Sequence, residues 1–179
     1  MKNSFCLLLV LFFGASFALT QKSAKPAFTS VYTDMKNDCK MLPEPPGTPE
    51  GGDPLERCKG FGGYRISISY SALHATLSIE NPKKRNDSVD IAALCSDYGA
   101  KLEWRLANGK PFAVIVRLGK YKDQDSSDNP CVQTNKTGNM LVVKGLKGWE
   151  HINFEINGAN HDANERAREM ADQNYSKNK

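Results

Sequence analysis

Lys101-Leu102-Glu103-Trp104-Arg105-Leu106-Ala107-Asn108-Gly109-Lys110-Pro111-Phe112-Ala113-Val114-Ile115-Val116-Arg117-Leu118 decides the fold class. Leu102, Trp104 and Leu106 alternate with Lys101, Glu103 and Arg105. That is the period of two of a strand with one apolar and one wet face. Phe112, Val114, Val116 and Leu118 repeat the pattern on a returning strand, and Asn108-Gly109 between them is a strong hairpin signal. A two-residue turn on Asn108 and Gly109 alone would set Trp104 against Ala113 and mix the apolar set of one strand with the polar set of the other. The expected form is therefore a three-residue loop, Ala107-Asn108-Gly109, with Gly109 at positive φ in a bulge. It pairs Trp104 with Phe112 and Leu102 with Val114, because a one-residue slip turns every side chain to the wrong face.

Working outward, Tyr64, Ile66, Ile68 and Tyr70 alternate with polar residues, as do Leu73, Ala75, Leu77 and Ile79, and the two runs form an antiparallel hairpin around Ser71 and Ala72. Phe28 to Tyr32 reads as a first strand. Asp90 to Ser96 is a helical turn or a short buried strand. Leu141 and Val143 begin another strand, which reverses near Lys147-Gly148 into Ile152, Phe154 and Ile156. Asp162-Ala163-Asn164-Glu165 has the pattern of a capping box, with the Asp162 carboxylate accepting from free N–H groups. Ala163, Ala167, Ala171 and Tyr175 then recur every four residues, so a helix over 162–175 ends the domain, lying close against a sheet. The expectation is an α+β, β-dominated fold: an antiparallel twisted sheet or sandwich of about seven strands with one C-terminal helix. It occupies residues 28–175 as a single domain, after a flexible lead over 19–27 and before a frayed tail over 176–179.

Residues 1–18 read as a signal peptide: Lys2, an apolar run from Phe5 to Phe13, and small residues at Ser16 and Ala18 for cleavage after Ala18. The run is too short to cross a membrane, and no integral membrane segment is expected in the mature chain. Of five cysteines among 179 residues, Cys6 leaves with the leader. Cys39, Cys58, Cys95 and Cys131 remain, an even number that reads as two disulfides in an oxidising compartment, with three connectivities open. Local closure favours Cys39–Cys58 and Cys95–Cys131. The first pair would clip a segment rich in Pro and Gly, from Pro43 to Pro54, and stabilise the fold by roughly 3 kcal/mol in the chain-entropy model.

The charge of +4 is too small to argue for a nucleic-acid partner, and none is expected. No nucleophile elbow, zinc-protease or phosphate-loop motif occurs, so no catalytic residue, cofactor or metal ligand is assigned. His74 and His151 form a general-base site only if brought together across the sheet. Asp123, Asp125 and Asp128 make a carboxylate cluster, but without the glycine and glutamate spacing of a calcium loop. Trp149, at a turn between Gly148 and Glu150, either covers the sheet edge or, if exposed, is the candidate partner contact.

Cys58-Lys59-Gly60-Phe61-Gly62-Gly63-Tyr64-Arg65, Lys101 to Leu106, Gly109 to Ala113 and Ala163 to Asp172 together resemble a group of small exported proteobacterial proteins of unknown function. The resemblance covers most of the mature chain and implies a periplasmic location and the Cys39–Cys58 bridge. It departs at Cys95 and Cys131, because such proteins carry a cysteine pair near the C-terminal helix instead. Gly62-Gly63-Tyr64 is also similar to a loop of periplasmic lysozyme inhibitors, whose defining motifs are not matched. The functional expectation is a non-enzymatic, periplasmic or secreted binding or inhibitory module contacting a protein or cell-envelope component. The alternative is a hydrolase acting on an envelope polymer through carboxylate or histidine catalysis.

Overall fold

The computed structural model describes residues 25–43, 55–81, 83–84, 87–122 and 130–177. The expected signal peptide, most of the Pro/Gly segment, the Asp123/Asp125/Asp128 cluster and the end of the tail lie outside them. Among the described residues ten strands form two antiparallel sheets, accompanied by a short 3-10 turn at Gln133–Asn135 and one α-helix, α1 (Ala163–Ser176). The first sheet runs β1 (Phe28–Asp34), β7 (Tyr98–Ala107), β8 (Lys110–Tyr121), β9 (Lys136–Gly145), β10 (Asn153–Asn157). The second runs β2 (Cys39–Met41), β3 (Leu55–Lys59), β4 (Arg65–Tyr70), β5 (His74–Glu80), β6 (Ser88–Leu94). Three strands exceed the sequence expectation: β2 and β3, which flank the Pro/Gly segment, and β6, which makes the ambiguous stretch extended as far as Leu94, with Cys95 and Ser96 in a turn at φ of 60° and 52°.

Alternation explains the layering. Ile66, Ile68, Ala75, Leu77 and Ile79 of the second sheet meet Leu102, Trp104, Val114 and Val116 of the first in one buried core. The opposite face of the first sheet offers Ala113, Ile115, Leu141 and Val143, and Ala163, Ala167 and Ala171 of α1 pack there. Alanine's small side chain lets the helix sit close to the sheet, as the four-residue stripe predicts. The cap differs: the Asp162 side chain makes no capping hydrogen bond, and its carbonyl instead accepts from Arg166 N at 3.0 Å.

The central hairpin overturns the expected loop. Asn108 and Gly109 have φ of 50° and 77°, and Ala107 pairs with Lys110, so these two residues alone form the turn. Such a turn matches the right-handed twist of the strands, and glycine takes positive φ without a Cβ penalty. The register is mended one step later. Leu106 faces Pro111 but Arg105 faces Ala113, which leaves Phe112 as an extra, bulged residue. Trp104 therefore opposes Val114 rather than Phe112. Phe112 turns away from Val114 to the helix side, against Phe28, Tyr175 and Trp149. Pro111, which has no N–H to give the ladder, sits beside the bulge.

The disulfides join Cys39 to Cys58 and Cys95 to Cys131. Cys39 lies directly opposite Cys58 in the β2–β3 pairing, so the first bridge closes the base of the Pro/Gly segment. The second ties the β6–β7 turn to the stretch leading into β9. Among the described residues, no helix is long and apolar enough to cross a membrane.

Candidate functional site

Pairing between β7 and β8 breaks a second time, and more widely. Tyr98 faces Leu118 and the next pair is Leu102 with Val116, so Gly99, Ala100 and Lys101 have no partner on β8. A bulge of this kind bends the strand, re-aims its side chains and opens space beside it. Gly99 suits the close approach, since a Cβ there would stand 3.2 Å from that of Arg117. Gly99 and Ala100 border two recesses in the described surface, about 330 and 320 Å³ in volume.

The first recess lies on the helix side, edged by Tyr32, Lys101, Glu103, Arg117, Asn164 and Arg168. Glu103 and Arg105 were expected on a wet face, but they are 6% and 8% exposed because α1 covers it. A charge buried alone is costly, so each needs a partner from the helix. Arg168 donates through Nε and Nη2 to the two Glu103 oxygens at 2.7 and 3.0 Å. Asp172 accepts from Arg105 Nε at 2.8 Å and Nη2 at 2.5 Å. Ser30 bridges the pairs, donating to Glu103 at 2.5 Å and accepting from Arg105 Nη1 at 2.9 Å.

Two residues along a strand span about 6.6 Å, and four along a helix about 6 Å. Glu103/Arg105 and Arg168/Asp172 therefore match as two rows of complementary charge. Sliding the helix by one turn would set like charges together, so the pairs specify its docking register. A double-mutant cycle on Arg105→Ala and Asp172→Ala should give a coupling of about 2 kcal/mol by urea unfolding. The exposed Lys147–Glu150 pair, at 3.4 Å, should give less than about 0.5 kcal/mol. Equal couplings would remove the register role.

The second recess opens at the mouth between the sheets, beside Met35, Lys36, Cys39, Glu56 and Tyr98. Tyr70 and Tyr98 share a hydrogen bond there. Burial raises the pKa of both phenols; the Tyr98 hydroxyl and the Glu56 carboxylate push Tyr70 further in the same direction. Burial likewise raises Tyr64. Tyr121, which donates to Asp97 at 2.7 Å, is pushed up to about 12 by burial and by that carboxylate. Burial alone would raise Asp97, but Lys136, at 2.6 Å, and Tyr121 outweigh it and hold the carboxyl below its ordinary value.

Neutral phenols are thus favoured in the folded state, while the unfolded chain gives up its tyrosine protons from pH 10 upward. Stability present below pH 10 is lost as pH climbs toward 12. Denaturant midpoints across that window should fall, and Tyr121→Phe should flatten the slope; a level profile in the wild type would contradict the assignment.

The other sequence candidates are scattered. His74 begins β5 of the second sheet, whereas His151 lies in the turn before β10 of the first, near the helix C-terminus with Asn174 O at 3.2 Å. The structure does not bring them together. Trp149 is half-buried and stacked on Tyr175, with ring centroids 5.6 Å apart, so it covers the end of the first sheet. Among the described residues no group of His, Cys, Asp and Glu could hold a metal ion. The recesses beside the Gly99–Lys101 bulge went unseen in the sequence. A retrospective signal exists: Arg168 and Asp172 stand four apart, each one residue after an alanine of the buried stripe. Compared with protein-family models, curated proteins and solved structures, the chain matches none.

Proposed function

We propose that the chain is a non-enzymatic binding or inhibitory module, periplasmic or secreted, which contacts a protein or a cell-envelope component. One observation carries this reading. The Gly99–Lys101 bulge borders two recesses in a crosslinked scaffold, and at the first of them Glu103 and Arg168 are engaged in a pair that holds the helix on the sheet. Rigid frames that present a pre-formed recess lose little entropy on binding. The leader pattern of residues 1–18, the two disulfides and the resemblance to exported proteobacterial proteins support the compartment.

A hydrolase of the paired-carboxylate type needs two acids whose surroundings push their pKa values apart. Among the described residues, each of the two recesses beside the bulge is lined by one carboxylate, Glu103 or Glu56. Asp90 and Glu155 line a smaller recess of about 170 Å³, but both are exposed, with Lys144 beside them.

Immobilised, oxidised protein lacking residues 1–18 should retain a component of the native envelope fraction at physiological salt. It should also release no soluble fragment from purified envelope polymer. Fragment release that vanishes in Asp90→Asn or Glu155→Gln would overturn the proposal.

A further inference from the structure

The recess beneath the N-terminal half of α1 contains more positive charge than its structural pairs use. Among the described residues that line it, Lys101, Arg117 and Arg168 face one carboxylate, Glu103, which Arg168 already takes through two hydrogen bonds. Arg117 donates to the Gly158 carbonyl at 3.0 Å and to Asn164 Oδ1 at 3.3 Å, both uncharged acceptors. Lys101 is exposed, with its Nζ 5.9 Å from the centre of the Tyr32 ring. Asp34 stands opposite Lys101 in the strand register, but its oxygens accept from Asn37 and from the N–H groups of Lys36 and Asn37. Lys101 thus feels the Asp34 carboxylate only through space, without a hydrogen bond to it, and among the described residues Arg117 hydrogen-bonds to no carboxylate. Its floor is apolar, formed by Ile115 and Leu141, which are 3% and 2% exposed.

We propose that this recess binds a peptide carboxy-terminus, with the carboxylate held by Lys101 and Arg117 and a small apolar last side chain on Ile115 and Leu141. An arginine fork matches the two oxygens of a carboxylate, and lysine adds a point charge. Glu103, fixed in the same recess, repels a dianion more than a monoanion, which favours a carboxylate over a phosphate. The volume of about 330 Å³ is near the lower end for ligand sites and admits one or two terminal residues rather than a folded element. Gly99, Ala100 and Lys101 border the place where a peptide would lie and have no register partner on β8, although the Ala100 carbonyl accepts from Met35 N at 2.8 Å and Lys101 pairs with Asp34. This assignment rests on the binding-module reading and names its ligand chemistry.

Amide chemical-shift mapping on the oxidised protein tests it, with N-acetyl-trialanine as the free acid and as the carboxamide. The free acid should shift Gly99, Ala100 and Lys101 and bind at least about tenfold more tightly than the carboxamide. Lys101→Ala should weaken the acid about tenfold with the unfolding midpoint unchanged, because the side chain is exposed. Arg117→Lys, which keeps the charge and loses the fork, should also weaken it. A probe ending in D-alanine separates the two sources of such a terminus: tighter binding than the L form marks an envelope peptide, weaker binding a protein end. Equal affinity for acid and carboxamide, phosphate binding as tightly as peptide, shifts confined to other surfaces, or no shifts at millimolar peptide would each overturn the assignment. If envelope capture persists after such a result, the module reading stands without this ligand; fragment release from the polymer would overturn the module reading itself.

Discussion

Replacing Trp104 by alanine is expected to cost roughly 3–5 kcal/mol of folding stability, the range for truncating a fully buried large aromatic. The side chain has no exposed surface and lies where the two sheets meet, its ring 5.8 Å from that of Tyr64. Its indole N–H donates to Thr33 Oγ1 at 2.9 Å, and that hydroxyl donates in turn to the Lys59 carbonyl at 2.9 Å. The chain of contacts runs from β7 through β1 to β3 and so links one sheet to the other. Truncation loses the transfer energy of the indole and leaves a cavity that neighbours held in strands fill poorly. Urea unfolding followed by far-ultraviolet circular dichroism measures the loss. A change below about 1 kcal/mol would mean that the ring is not in an inter-sheet core.

Ala167→Glu tests the other layer, and its expected cost is about 4 kcal/mol or more. Ala167 is fully buried between Ala163 and Ala171 on the stripe against the first sheet. A glutamate there puts an unpaired carboxylate into apolar surroundings and forces the helix off the sheet. Its first consequence is local. The core between the sheets does not depend on α1, so the helix should undock while the strands keep their pairing. Amide hydrogen exchange should then lose protection over 163–176 and retain it in β4, β5 and β8. Arg105 and Glu103 would be left without their helix partners, which adds to the loss. Protection unchanged across the helix would place Ala167 outside any buried interface.

The strands were readable wherever alternation was strong. The β4–β5 hairpin, the inward faces of Ile66, Ile68, Leu77 and Ile79, the alanine stripe and the closure of Cys39 onto Cys58 all follow from local pattern or short-range geometry. What pattern misses is compensation. At Asn108-Gly109 the register conflict is real, but it is resolved by a bulge at Phe112 rather than by a longer loop. Only the helix-side aromatic cluster explains why Phe112 benefits from turning over. Glu103 and Arg105 read as wet because alternation reports polarity, not burial, and their partners stand on a helix more than 60 positions later. The Gly99–Lys101 bulge carries no local signature beyond one glycine, so the recesses beside it needed the three-dimensional register. β2 is three residues long, too short for a period to be seen.

The most direct test of an exported, crosslinked sandwich is non-reducing peptide mass mapping of the protein recovered from the envelope of its native host. The expected result is a chain that begins at Leu19 and carries Cys39–Cys58 and Cys95–Cys131 bridges. Retained residues 1–18, free thiols at these four positions, or a bridge between Cys39 or Cys58 and either of the other two would contradict it.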